Sequence, residues 1–549
     1  MRKPTDVVHP DKSRPSRPAD LLLVNARVIT MESGHPRAEA VAVLGDRIVA
    51  VGAGALVSNL AGPGTRTIDC QGMALLPGLI DAHCHLLALA ASLQGLDCGP
   101  EAVSSIGELR RAIQRRADAT PAGQWIRGFG YDESAFSEGR HPTRWDLDQA
   151  TPHHPVRLDH RSGHATVLNS RALEAAGIHQ DTADPLEGVI VRDHATGEIT
   201  GLLLELGMFL SERLGATRES AQLEAGVVLL NRKLLSYGVT SAQDAGANNS
   251  PARWEVFRQL QASGRLLCRI TMLAGASRLE EFLSNGLLGG SGDDRLRLGH
   301  LKVMLTLTTG ALHPDLPTLR ELVAAAHSHG FPVAIHAVER EAVAVAAQAL
   351  GEARVRREAS QTRNFASRSR DRIEHCSECP PELAAQVRRS GAAVVTQPGL
   401  VYWNGGRYRK EVEPSLLGHI YPVGALNSAG VPVAFGSDAP VVDPNPWPAI
   451  YSAVTRETRE GGALIPPEHP GAAFDQRVTT KSALKMYTIA AACADGSEQR
   501  KGSIRPGKLA DLVLVDNDPT TVIHPRLKEI RAVMTILGGR IVWQDGFPA

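Results

Sequence analysis

Two textures of apolar and polar positions divide this chain. From Ala19 to Met73 short apolar runs (Leu21–Val24, Val28-Ile29, Val41–Val43, Arg47–Val51) are split by Asn25-Ala26, Gly45-Asp46 and Gly52, the pattern of strands and turns. The far C-terminus repeats it, with Ala510–Val515, Val533–Leu537 and Arg540–Trp543 around the turn Gly538-Gly539. Neither piece can bury a core alone, so the pattern predicts one small composite β-sandwich built from residues 19–76 and 499–549.

Between the ends, apolar strand-like runs alternate with helical stretches, the signature of parallel strands joined by crossover helices. Eight runs qualify: around Ile80, Val239–Asp244, Arg269–Leu273, Leu301–Leu305, Val333–His336, Arg372–His375, Ala393–Gln397 and Val433–Ser437. Eight strands close a barrel, which predicts an α/β fold of the (β/α)8 TIM-like kind. Its first strand lies within residues 77–95 and the remainder within 236–498. About 150 residues separate the first run from the second, too many for one crossover, so residues 96–235 are expected to hold an inserted subdomain walling the catalytic face.

Four of these runs end in residues able to bind a metal: His83 and His85, His336, His375, and Asp438. In a strand His83 and His85 point to one side and Cys84 to the other. Each histidine alone reads as readily as a satisfied core or strand-end residue, and Asp438 as a turn aspartate. Their joint place at strand ends of one barrel favours a shared cation. Lys302 stands among aliphatics, near the start of its predicted run. A desolvated lysine has a lowered pKa and a neutral amine that can add carbon dioxide, giving a carbamate (an N6-carboxylated lysine) fit to bridge two metals. The alternative is an unmodified lysine paired with a buried carboxylate. Cys376-Ser377-Glu378-Cys379 has no second C-x-x-C and reads as packing. Asp244 reads equally as a substrate contact and as a turn cap.

The 59 acidic and 59 basic residues cancel, so no field of one sign attracts nucleic acid or an anionic membrane, and a small-molecule substrate is expected. Seven scattered cysteines do not look like a disulfide framework and suit a reducing compartment. Residues 1–18 are polar and proline-bearing, a disordered lead-in without a secretory pattern, and no run is long and apolar enough to span a membrane. The expectation is a soluble cytoplasmic protein.

The motifs Pro77–His85, Ser162-Gly163-His164-Ala165, Gly238-Val239-Thr240, Ile335–Val338, Arg372–Cys376, Gly436-Ser437-Asp438 and Lys501–Leu512 together resemble the amidohydrolase superfamily. Within it they are most similar to the branch of YtcJ-type and N-substituted formamide deformylase proteins. The resemblance runs over nearly the whole chain and implies a metal-binding barrel with a composite sandwich. It also implies a metal shell of His83, His85, Lys302, His336, His375 and Asp438. Thr306-Leu307 and Glu339-Arg340 depart from the Asp-Gly and Gly-Asp that relatives often carry, which bears on the substrate more than on the metal.

The activity expected on this basis is hydrolysis of a carbon–nitrogen bond, an amide or N-substituted formamide, by metal-activated water. Asp438 would shuttle the proton and His164 would hydrogen-bond the carbonyl or oxyanion. Zinc suits the donors best, with iron or manganese as alternatives: two ions if Lys302 is carboxylated, one if it is not. Asp132, Arg161, Asp244 and Glu339 are candidate substrate contacts, and the resemblance allows a homodimer. The competing readings are a mononuclear heterocycle deaminase with Glu339 as proton shuttle, from the similarity of His336-Ala337-Val338-Glu339 to the deaminase His-x-x-Glu, and a non-catalytic scaffold.

Overall fold

Eight consecutive parallel strands occupy the centre of the computed structural model, which describes residues 17–186, 188–214, 220–359, 369–465 and 475–546. They are β1 (Leu79–Cys84), β2 (Val239–Asp244), β3 (Arg269–Gly275), β4 (Leu296–Met304), β5 (Val333–Ala337), β6 (Arg372–His375), β7 (Ala393–Thr396) and β8 (Val433–Phe435). Each pairs in parallel with the next in chain order. Helices such as Leu316–Ser328, Arg340–Ala359 and Pro381–Ser390 cover the outside, so the strands are buried on both faces and read as continuous apolar runs. The sheet is a nearly closed TIM barrel.

The seam between β8 and β1 is joined just beyond the strand ends. Asp438 N–H donates to the His83 carbonyl at 2.7 Å, and His85 N–H to that of Ala439 at 2.8 Å. A Cβ on Gly436 would meet the backbone nitrogen of His83 at 2.5 Å, so only glycine lets the two segments approach this closely.

The fourth strand corrects the sequence expectation. The run Leu301–Leu305 placed Lys302 near a strand start, whereas β4 begins at Leu296 and puts Lys302 near its C-terminal end. Arg297 and His300 hid the first half of the strand. The Arg297 guanidinium donates to the Asp495 carbonyl at 2.8 Å and His300 Nε2 to that of Arg370 at 2.9 Å, so each finds a partner in a distant segment.

The chain ends combine as the apolar texture suggested. Leu512–Val515 pairs antiparallel with Ala74–Pro77 in a six-stranded sheet, which faces a four-stranded sheet made from the N-terminal part alone. Between β1 and β2 lies a six-stranded sheet with its own apolar clusters around Ile113, Leu147 and Leu158 and around Leu173 and Leu203. The helix Ser220–Ser236, by contrast, buries Val227, Leu230 and Leu234 in the barrel core. The lead-in expected over residues 1–18 falls almost wholly outside the described residues. Among the described residues, no helix is long and apolar enough to cross a membrane.

Candidate metal centre at the barrel mouth

Parallel barrel strands send their C-terminal side chains to a common face, and here that face gathers imidazoles. Ring centres run in a chain: His85 to His83 at 5.4 Å, His83 to His375 at 4.8 Å, His375 to His336 at 4.5 Å, and His336 to His164 at 5.8 Å. With metal–nitrogen bonds of about 2.0–2.1 Å, two imidazoles sharing one cation hold their ring centres roughly 4.5–5.2 Å apart. The inner members of the chain meet that spacing. Asp438 Oδ1 lies 3.1 Å from His85 Nε2 and 3.4 Å from His83 Nε2, and ligand atoms of these three residues all fall within 4.8 Å of one another.

Neighbouring groups decide which nitrogen of each ring faces the mouth. His83 Nδ1 is hydrogen-bonded to Glu374, which leaves Nε2 turned toward Asp438. His375 Nδ1 donates to Gln397 Oε1 at 2.9 Å. Glu374 is fully buried and paired with the Arg372 guanidinium at 2.5 Å. Burial would raise the Glu374 carboxyl, but Arg372 and His83 override it and hold it far below the usual range. Arg372 is anchored in turn by Gln243 and the Ala82 carbonyl. At the seam, Asp81 accepts from Ser437 N–H at 2.9 Å and from Ser437 Oγ at 2.5 Å, fixing the turn that carries Asp438.

The electrostatics suit a cation. Burial, with His83 and Lys302 adding to it, lowers the His375 pKa to about 3, and burial drives His336 down as well, so both rings are neutral donors at physiological pH. Asp438 is ionised: burial opposes charge, but hydrogen bonds from His83 and His85 hold its carboxyl well below the ordinary value. Lys302 is almost inaccessible, at 2 % exposure, and burial reinforced by Arg372 lowers its pKa to about 8. Among the described residues no ion pair to its Nζ is formed, and the charges of Glu374 and Asp438 act on it against the effect of burial. Two neutral imidazoles, His336 and His375, beside one carboxylate and a desolvated amine offer the donor set of a divalent metal site.

His164 reaches the mouth from the inserted unit and keeps 42 % of its side chain exposed. Burial pulls its pKa down, but Glu205 more than reverses this and raises it above the usual value. Glu339 lies at the edge of the same opening, close enough for its charge to act on His164.

The other candidate substrate contacts are employed elsewhere. Asp244 accepts from Leu86 N–H at 2.7 Å and from the Asn249 amide at 2.8 Å, the contacts of a turn cap. Asp132 and Arg161 form an ion pair at 2.5 Å, and Arg161 also hydrogen-bonds Asn404 on the barrel helix Pro398–Glu411, which ties the insert to the barrel. Cys376 and Cys379 are buried in the core, in keeping with packing.

Sequence reasoning passed over Glu374, Gln397, Asp81 and Glu205. The first three carried a legible signal: a charged or amide group in or just after an apolar strand that also carries a candidate ligand or faces one. Glu205 follows an apolar run of the insert and carried none.

The chain matches the pattern described as "Amidohydrolase family" over residues 66–543. It is 31% identical to N-substituted formamide deformylase of Arthrobacter pascens, with 95% of this chain and 97% of that protein covered. It is 26% identical to the putative amidohydrolase YtcJ of Bacillus subtilis (strain 168), covering 94% of this chain and 98% of that one. Among solved structures, an uncharacterized metal-dependent hydrolase from Pyrococcus horikoshii OT3 superposes with a TM-score of 0.72 at 22% identity, covering 92% of this chain and 99% of that chain. That likeness speaks to the fold.

Proposed function

The chain belongs to the amidohydrolase family and is a metal-dependent hydrolase of carbon–nitrogen bonds, and from that premise we propose that its substrate is an N-substituted formamide or a closely related small amide. The observation that carries this reading is the convergence of His83, His85 and Asp438 within 4.8 Å, with His336, His375 and Lys302 completing the ring from other strand ends. The likeness to a deformylase over nearly its full length supports the formamide class.

In this reading the six residues hold the metal, with zinc first among candidates and iron or manganese compatible with the same donors. A divalent cation bound there supplies a water of lowered pKa and polarises the substrate carbonyl. Asp438, ionised and at the edge of the cluster, accepts the proton of the attacking water and returns it to the departing amine nitrogen. His164, whose doubly protonated form Glu205 favours, donates a hydrogen bond from Nε2 to the carbonyl oxygen as charge builds on it. Lys302, buried and with a lowered pKa, would be carboxylated in the active protein and would then supply carbamate oxygens to a two-metal centre. Seven free thiols, six of them buried, suit a reducing cytoplasm.

The test is metal content, then turnover of a panel of N-formyl, N-acyl and cyclic amides, with amine and ammonia release followed separately. Amine release from an N-formyl compound by metal-loaded protein is expected, with a mass gain of one carbon dioxide on Lys302 in native analysis. Ammonia release from an aminated heterocycle would instead identify a deaminase using Glu339. A protein that takes up no zinc, iron or manganese in the presence of bicarbonate would be a scaffold.

A further inference from the structure

Glu205 occupies a backbone position that ordinarily calls for glycine. It directly follows the strand Ile199–Leu204 at φ +59°, in the left-handed region that a non-glycine residue adopts only under constraint. The constraint is visible. Ala165 and Leu204 face each other across an antiparallel ladder, and Glu205 N–H continues it by donating to the His164 carbonyl at 2.8 Å. The Glu205 side chain then turns back onto the same residue, with its oxygens 2.9 and 3.0 Å from His164 Nδ1. Thr308, in the loop that follows β4, donates to Glu205 Oε1 at 3.1 Å. One carboxylate thus holds His164 by its ring while a barrel loop holds the carboxylate. With Nδ1 occupied, the free Nε2 belongs to a ring centred 5.8 Å from that of His336.

We propose that Glu205 is the positioning residue of His164, accepting from Nδ1–H so that Nε2 faces the substrate carbonyl, with Thr308 steadying the pair. This rests on the hydrolytic reading above and extends it from the barrel to the inserted unit. A glycine would fill the turn without strain and leave the imidazole free to rotate, which is why the glutamate at this position points to a function beyond the turn.

The informative variant is Glu205→Gly, which removes the carboxylate and relieves the backbone, so it folds at least as well as the parent. Zinc-loaded protein is assayed on formanilide by aniline release. E205G is expected to lower kcat about tenfold or more with KM changed less than about twofold, and His164→Ala by about a hundredfold. The double variant should be no slower than H164A within about twofold, because two residues acting through one group are not additive. Thr308→Val is expected to cost less than E205G. Effects of E205G and H164A that multiply would overturn the proposal, and so would a T308V loss equal to that of E205G, which would assign Glu205 to docking the insert. A second readout is independent of turnover: histidine 15N spectra, assigned with H164A, at a pH high enough to neutralise the ring. The His164 proton should sit on Nδ1 in the parent and redistribute in E205G; an unchanged tautomer would refute the proposal. If the parent releases no aniline from formanilide, the hydrolytic reading is what fails, and the spectra still decide the role of Glu205.

Discussion

The barrel mouth and the inserted unit each gather three imidazole or carboxylate groups with ligand atoms within 4.8 Å of one another: two histidines and one carboxylate, His83, His85 and Asp438, in the first, and two carboxylates and one histidine, Asp132, Glu133 and His160, in the second. Only the first is arranged for a cation. In the insert, Asp132 spends one oxygen on Ser134 N–H at 3.0 Å and Ser134 Oγ at 2.6 Å, and the other on Arg161 at 2.5 Å, so the positive charge is already supplied. His160 Nδ1 accepts from Ser162 N–H at 3.1 Å, which puts the proton on Nε2, 2.8 Å from Glu133. At the mouth, Glu374 and Gln397 hold Nδ1 of His83 and His375 and so turn Nε2 of both rings inward. The lesson is that proximity of donors does not make a metal site. What matters is whether the surrounding groups leave lone pairs aimed at a common point.

The sharpest way to break this comparison is substitution in both clusters. His83→Ala or Asp438→Ala should lower turnover by at least about a thousandfold, H83A with loss of bound metal, whereas His160→Gln should leave metal content unchanged. Elemental analysis beside kinetics checks this, and metal lost from H160Q would erase the distinction. Next in size is Glu374→Ala, which strands the fully buried Arg372 and should cost about 3–5 kcal/mol of stability, read from the denaturant midpoint. Glu374→Gln should keep more of that stability and still weaken metal affinity about 10–100-fold. Arg161→Ala, which leaves Asp132 without its ion pair, should destabilise by about 1–3 kcal/mol while the metal stays bound.

The smallest expected effect is a pH dependence. The His160 imidazole 2.8 Å away, working against partial burial, lowers the Glu133 carboxyl from its ordinary 4.5 to about 2. The unfolded chain therefore binds the proton more readily, and the stabilisation is complete above pH 4.5 and lost as pH falls toward 2. Glu133→Gln should flatten that part of the acid-denaturation profile. An unchanged profile would mean that the pair adds nothing to the brace.

Most of the barrel was legible because its strands are buried on both faces and each leaves a local apolar run. The exception is instructive, since Arg297 and His300 interrupt the run of β4 and their partners, the carbonyls of Asp495 and Arg370, come from distant segments. The same limit applied to the site. The mouth imidazoles and Asp438 stood out as polar groups ending apolar strands. Asp244, at a strand end like theirs, reveals the contacts of a turn cap only when Leu86 N–H and Asn249 are seen against its oxygens.

By itself the sequence determined the eight strand runs and the pairing of the two termini, and it named candidate donors at the strand ends, because alternation and apolar burial are local properties of the chain. Tertiary structure alone decided which donors stay available: Glu374 behind His83, Gln397 behind His375, Glu205 behind His164, and Arg161 against Asp132. Each of those outcomes depends on a lone pair's direction and on a partner brought in from another segment, and neither quantity is written in the spacing of residues.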